Sequence, residues 1–334
     1  MRVGITGAAG FIGSHLAKRL MLRTDETGIV IVWAADSLKP SYGGDFSARR
    51  LKSIGFPFET LRVDLGSISA VDLAKSMPKI DVLVHFAAMP GVRGGETHPD
   101  DYFQANVVGF HNLLLAAEKR EVEMILYASS SSVYGDRGVR GPSAESDADG
   151  TGIKSHYAMT KWINEMQARD FTRRTGIPTV GLRFFTVFGE WGRPDMAYYK
   201  FGNAIRCNEP VTIYGTNGGT RNYTYVGDAV EAVERLLKVL AATSLQTDLP
   251  LAVNIASGAP MSTLEFLEIL SRALGQDRLN FVNSPRPSED AEATWADTSL
   301  LMNLIGDSSH TEIVDGVQRF ADWLTTHGEE AQWE

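Results

Sequence analysis

The sequence predicts an α/β fold: a doubly wound parallel sheet followed by a smaller C-terminal α/β unit. Three observations carry that expectation. Continuous apolar runs alternate with amphipathic stretches through the first half, as strands buried on both faces and their covering helices require. A glycine-rich turn directly follows the first apolar run. From Leu182 onward the alternation gives way to Gly- and Pro-bearing loops between shorter helical patterns.

Taken in order, Arg2–Thr6 reads as a strand and Phe11–Leu22 as the helix after it. Ile29–Ala34 and Phe58–Val63 read as strands, Val71–Met77 as a helix and Asp81–Phe86 as a strand. Asp100–Lys119 predicts one long helix, Met124–Ser129 a strand, Tyr157–Thr175 a helix and Thr179–Phe184 a strand. Further on, Gly189–Asp195, Tyr214–Thr220 and Asn283–Glu292 read as loops. Ala229–Leu240, Leu264–Leu274 and Ile313–Leu324 carry helical periodicity. The expected division is a dinucleotide-binding domain over 1–181, with 225–257 returning to it, and a cap over 182–224 and 258–334.

A chain of 334 residues, 43% hydrophobic and 22% charged, has the composition of a globular protein with a large core. Its formal net charge of −9 argues against binding nucleic acid, and an anionic ligand must be drawn in by local cations. Cys207 is the only cysteine, which excludes an intrachain disulfide and a cysteine-based metal cluster and favours a reducing, cytoplasmic compartment. No metal site is expected. Met1–His15 lacks the apolar centre of a signal peptide, and no run approaches the ~18 apolar residues of a membrane span.

The turn Gly7-Ala8-Ala9-Gly10-Phe11-Ile12-Gly13 links the first strand to the first helix. Glycines there permit a tight turn and close approach of backbone to a pyrophosphate, which then faces the N-terminus of the helix that Phe11 and Ile12 open. Asp36 lies at the end of the second strand, where a carboxylate accepts both ribose hydroxyls and repels a 2′-phosphate, which favours NAD over NADP. A solvated loop carboxylate is the alternative, with Lys39, Arg49 and Arg50 nearby. Asp64-Leu65, just past the third strand, stands where a carboxylate can hold the adenine amino group.

Tyr157 and Lys161 stand at i and i+4, hence on one helix face. A free phenol titrates near ~10, too high for a base at neutral pH. A neighbouring ammonium and a positive nicotinamide ring both favour the phenolate, making proton abstraction from a hydroxyl feasible. The bland alternative is a surface tyrosine beside a solvated lysine. Context argues against it, because the pair lies one helix after Ser129-Ser130-Ser131-Ser132 at the carboxyl edge of the sheet.

The glycine motif, Asp36, Asp64, His85-Phe86-Ala87-Ala88, Asn106, the serine run, Tyr157/Lys161 and the segment from Arg221 to Asp228 together resemble the extended short-chain dehydrogenases/reductases. The resemblance runs in order from Arg2 to about Thr298. It implies a Rossmann-like fold with a smaller substrate-binding domain, retained NAD and a nucleotide-diphosphate sugar as substrate. It implies Ser130 as the catalytic hydroxyl beside Tyr157 and Lys161. It also implies cofactor contacts at Gly7, Gly10, Phe11, Ile12, Gly13, Asp36, Asp64, Leu65, Ala87, Ala88, Tyr157, Lys161 and Phe185. A homodimer through the helices 100–119 and 157–175 is likewise implied by resemblance.

The run from Leu182 to Met196, the serines and Gly91-Val92-Arg93 are most similar to UDP-glucuronate 4-epimerases. That similarity implies Ser131, Ser132, Thr186 and Arg193 as partners of the sugar carboxylate, with Ser130 near O4. Oxidation at C4 gives a β-keto acid, and hydrogen bonds that hold its carboxylate out of the perpendicular geometry prevent loss of CO₂. Arg193 has a second reading as a loop cation paired with Asp195. Arg93, Arg221 and Arg286 are candidate diphosphate contacts, each with a structural alternative. Asn106 either backs the active site or is a buried amide bonded to backbone.

The chain departs from that pattern. Gly94-Gly95 replaces a Tyr-Ser, Glu190 a Pro, Phe188 a Tyr, and Pro287-Ser288-Glu289-Asp290 a Pro-Gly-Asp. Arg137–Ile153 is a long polar loop. A 4,6-dehydratase needs an Asp-Glu pair where Ser131-Ser132 stand. A UDP-glucuronate decarboxylase, a 4-epimerase of another nucleotide sugar and a non-catalytic NAD-binding protein are the competing expectations.

Overall fold

The computed structural model describes residues 1–39, 46–56, 60–243, 251–276, 278–307 and 310–327. The strands of the first half are β1 (Arg2–Thr6), β2 (Val30–Asp36), β3 (Leu61–Arg62), β4 (Val82–His85), β5 (Met124–Ser130) and β6 (Thr179–Phe184). After them come β7 (Thr186–Phe188), β8 (Val211–Tyr214), β9 (Thr220–Arg221) and β10 (Tyr223–Tyr225). The last are β11 (Ala252–Ile255), β12 (Met261–Ser262), β13 (Phe281–Ser284) and β14 (Ala293–Thr294).

Seven strands form one sheet in the order β11-β6-β5-β4-β1-β2-β3, and every pairing in it is parallel. Val3, Ile5, Leu83, Val84, Leu126 and Leu182 are fully buried, which is why these strands carry no polar alternation. Chain order reverses between β1 and β4, so the ligand crevice of this topology opens beyond their carboxyl ends. β11 returns to this sheet from the second half, and the helix Val226–Thr243 before it packs beside the helix Phe11–Leu22.

The remaining strands make small sheets: β7 with β10, β8 with β13, and β12-β9-β14. Only Phe185 separates β6 from β7. Helices Ala197–Arg206, Thr263–Ala273 and Ile313–His327 pack over these strands around Phe188, Phe266 and Phe320.

The expected helix 100–119 is interrupted. Pro99–Tyr102 and Gly109–Lys119 are α-helical, but Phe103–Val108 forms a π-helical turn between them. The wider turn accompanies an inward Asn106, whose amide exchanges hydrogen bonds with both backbone groups of Met89. Asn106 also donates to the Thr160 hydroxyl, one residue before Lys161. Of the expected strand Phe58–Val63, only Leu61–Arg62 pairs, and residues 58 and 59 lie outside the described residues. Part of the 137–153 loop also pairs: Ser143 exchanges backbone hydrogen bonds with Trp295 and Asp297.

Candidate active site

The turn after β1 is closed by hydrogen bonds from the Gly7 amide to Ala35 O and the Gly10 amide to Gly7 O. Gly7 has φ +71°, and a methyl group on Gly13 would lie 2.1 Å from the Gly7 carbonyl oxygen. The following helix has no side-chain N-cap at Gly10 and no acidic residue in its first turn, which leaves its positive end available to an anion. Ala87 and Ala88, just past β4, flank the same crevice, and the Ala87 amide lies against Gly7.

Asp36 ends β2 and accepts hydrogen bonds from the amides of Ala9 and Leu38 at 3.0 and 2.9 Å. Burial pushes its carboxyl above the ordinary value, partly offset by those amides and the Arg50 charge. Asp64 accepts from Lys39 Nζ at 2.7 Å and from the Ser67 hydroxyl and Gly66 amide, while Leu65 is buried behind it.

The helix His156–Thr175 starts at Ser155, whose hydroxyl accepts the Ala158 amide. Tyr157 therefore sits in the first turn and Lys161 one turn later. The Ser130 side chain and the Arg193 charge both pull the Tyr157 phenol down, but burial outweighs them and raises it. Lys161 reaches from the next turn of the helix to β5. Its Nζ donates to Ala128 O at 2.8 Å and stands 6.0 Å from the phenol ring centroid, and burial pushes it down to about 8.

Ser130 caps a short 3₁₀ turn, accepting from the Ser132 amide at 3.2 Å and its hydroxyl at 2.9 Å. Ser131 and Ser132 are half-buried within that turn. Sequence reasoning missed the support beneath it. Ser129 donates to Glu165 at 2.6 Å, and Glu165 holds Arg183 through two further bonds of 2.9 and 2.8 Å. Arg183 in turn donates to Tyr134 Oη, which donates to Asn254.

Phe185 is buried against Tyr134, and Thr186 opens β7 with its amide bonded to Asn222 O. Arg193 forms a two-pronged ion pair with Asp195, as its alternative reading had it, and also acts electrostatically on Tyr157. The departure at Gly94-Gly95 has a visible consequence: a side chain at Gly95 would come within 3.0 Å of the Tyr157 amide, so Val92–Thr97 lies directly on the helix that carries Tyr157. Arg93 is exposed, over Tyr214 and bonded to Asp290. Arg221 is committed to the carbonyls of Thr220, Ala291 and Glu292, and Arg286 pairs with Glu292 at 3.5 Å.

This arrangement brings the glycine turn, the Asp36 carboxylate, Ser130 and Tyr157 along one sheet edge. The model of the NAD dependent epimerase/dehydratase family matches residues 3–255. The chain belongs to that family. It is 36% identical over 340 residues to Protein CapI of Staphylococcus aureus, covering 97% of this chain and 98% of that one. It is 35% identical over 339 residues to a probable UDP-glucuronate 4-epimerase of Rhizobium meliloti (strain 1021), covering 97% and 96%. Among solved structures it resembles the UDP-glucuronic acid 4-epimerase of Bacillus cereus in complex with UDP-glucuronic acid and NAD. That match has TM-score 0.83 and 27% identity, covering 98% of this chain and 99% of that one. Among the described residues no helix is long and apolar enough to cross a membrane, and no group of three or more His, Cys, Asp or Glu residues is placed to hold a metal.

Proposed function

We propose that this chain is an NAD-dependent nucleotide-sugar 4-epimerase that interconverts UDP-glucuronate and UDP-galacturonate through a transient 4-keto sugar. The observation that carries the reading is the convergence of Ser130, Tyr157 and the Arg193 charge at the carboxyl edge of the sheet. Gly7, Gly10, Phe11, Ile12 and Gly13 would take the pyrophosphate of NAD, Asp36 its ribose and Asp64-Leu65 its adenine. Ala87, Ala88, Lys161 and Phe185 would line its nicotinamide half. The uncapped helix end and the space that Gly13 leaves both fit that group. When bound there, NAD would supply the reversible hydride acceptance that oxidation and reduction at C4 require.

The chain's own residues handle the proton and the carboxylate. Ser130 holds O4 and Tyr157 removes its proton, returning it when the ring is reduced. The Lys161 charge favours the phenolate from 6.0 Å of the ring centroid, and its bond to Ala128 O fixes that charge relative to β5. Ser131, Ser132, Thr186 and Arg193 bind the carboxylate and keep its bond to C5 away from the perpendicular of the carbonyl plane. Arg93, Arg221 and Arg286 face the diphosphate.

Supporting the division into domains, β11 lies in the large sheet although β7–β10 and β12–β14 lie outside it. We propose a cofactor domain of 1–181 with 225–257, and a cap of 182–224 with 258–334. The exposed side chains of Phe103 and Met159 support a homodimer through the helices that carry them. The single cysteine supports a cytoplasmic setting.

One observation favours a decarboxylase instead: Asp195 occupies the fork of Arg193. Incubating the purified chain with UDP-glucuronate and following products by NMR separates the readings. UDP-galacturonate without CO₂ is expected. A UDP-pentose moves the assignment to decarboxylase, and no turnover with added NAD removes UDP-glucuronate as substrate.

A further inference from the structure

Arg50 is only 1% exposed. Its guanidinium spans two segments that lie far apart in sequence. Nη1 donates to Ala9 O in the phosphate turn at 2.6 Å. Nε and Nη2 both donate to Trp191 O, at 3.0 and 2.9 Å. Phe46 lies beneath the cation, 4.8 Å from its centre.

The gripped carbonyl belongs to a residue that needs holding. Trp191 has φ +56°, a left-handed conformation that an L-tryptophan disfavours. Its ring is wedged between Phe46 and Trp323, at 5.7 and 5.3 Å. Two residues on comes Arg193, whose carbonyl accepts the Met196 amide and whose charge acts on Tyr157. That backbone bond fixes where the Arg193 side chain starts, and Asp195 holds its far end.

We propose that Arg50 is a positioning residue: by tying the Trp191 carbonyl to the cofactor's phosphate turn, it holds Arg193 against the substrate carboxylate and so prevents loss of CO₂. The inference rests on the UDP-glucuronate reading above. In the unwanted step, C4 has been oxidised by NAD and the C5–C6 bond breaks. CO₂ leaves, the electron pair forms the C4 enolate, and C5 takes a proton from water to give a UDP-4-keto-pentose. That step needs the carboxylate to swing free, which a loosened Arg193 allows.

The test compares wild type, Arg50→Lys and Arg50→Gln, each full-length with excess NAD. It measures the fraction of turnovers ending in CO₂ and UDP-pentose rather than UDP-galacturonate. Dissociation constants for UDP-glucuronate and the uncharged UDP-glucose are measured alongside by calorimetry. The CO₂ fraction is expected to rise about 10-fold in Arg50→Gln and less in Arg50→Lys. UDP-glucuronate should bind about 10-fold more weakly in Arg50→Gln while UDP-glucose binding stays the same. An unchanged product partition, or equal weakening of both ligands, overturns the proposal. Should both variants fail to fold, Phe46→Leu removes the ring under the guanidinium and must raise the CO₂ fraction by a smaller factor, or the proposal falls. If wild type forms no UDP-galacturonate, the underlying reading fails and takes this one with it. If wild type does so and the variants partition alike, only the role of Arg50 is lost.

Discussion

Removing the Glu165 carboxylate tests the support beneath the serine turn. Glu165 and Arg183 side chains are 7% and 5% exposed, so the ion pair is shielded from solvent. Glu165→Ala leaves a buried guanidinium without its anion and takes the acceptor from the Ser129 hydroxyl. Breaking one side of a buried pair costs about 3–5 kcal/mol, and a stranded hydroxyl adds about 1 kcal/mol. Tyr134 and the Glu145 carbonyl still bind Arg183 Nη1 and offset some of this, so a loss of about 4 kcal/mol is expected. Urea unfolding followed by circular dichroism at constant slope measures it. Glu165→Met combined with Arg183→Met removes both charges and should recover most of the loss. A loss below about 1 kcal/mol in the single variant, or a double variant as unstable as the single one, would refute the argument.

Four further outcomes follow from the same geometry. Gly13→Ala puts a methyl group on the Gly7 carbonyl, so bound NAD should fall at least ~10-fold in the purified protein, read by absorbance after acid release. Tyr157→Phe should lower kcat by about 10²–10⁴-fold while leaving NAD content intact; unaltered turnover would point to another base. Because burial pushes Lys161 down to about 8, kcat should fall as pH rises through that value, and a flat profile to pH 10 would remove its charge from the mechanism. His85 and His15 are pushed from 6.5 to about 3 and about 4 by burial, so the unfolded chain takes up their protons first. Stability therefore falls as pH drops below 6.5, by about 2 kcal/mol for each residue at pH 5. A His15→Gln, His85→Gln variant should lose that much less between pH 7 and 5.

The large sheet was legible because its strands are buried on both faces and read as unbroken apolar runs, ending at β6 with the last residue expected. The glycine turn after β1 was legible because its spacing answers a steric demand that few other residue types meet. What the sequence hid came from long-range partners. The π turn at Phe103–Val108 accompanies the bonding of Asn106 to Met89, 17 residues away in sequence. Short strands such as β9 and β14 carry too few residues to show a period. Glu165 lay inside a helical pattern and Arg50 outside every expected element, places where a charged residue reads as solvated, and only packing reveals that both are buried. Lys161 sat on the expected helix face, and its anchoring bond to a carbonyl of β5 came from a partner 33 residues away.

The one-residue corner at Phe185 has a kinetic meaning. With β6 fixed in the large sheet and β7 paired to β10, the chain has no slack there to work as a loose hinge. Nor can Phe185 swing aside, since its amide is bonded to Ile255 O and its ring is packed on Tyr134. On the proposed placement of the nicotinamide beside Phe185, so rigid a corner should slow dinucleotide release well beyond a single exchange of sugars. An enzyme that borrows a pair of electrons and returns them within one turnover gains from that arrangement, because its redox partner never diffuses away between the two halves.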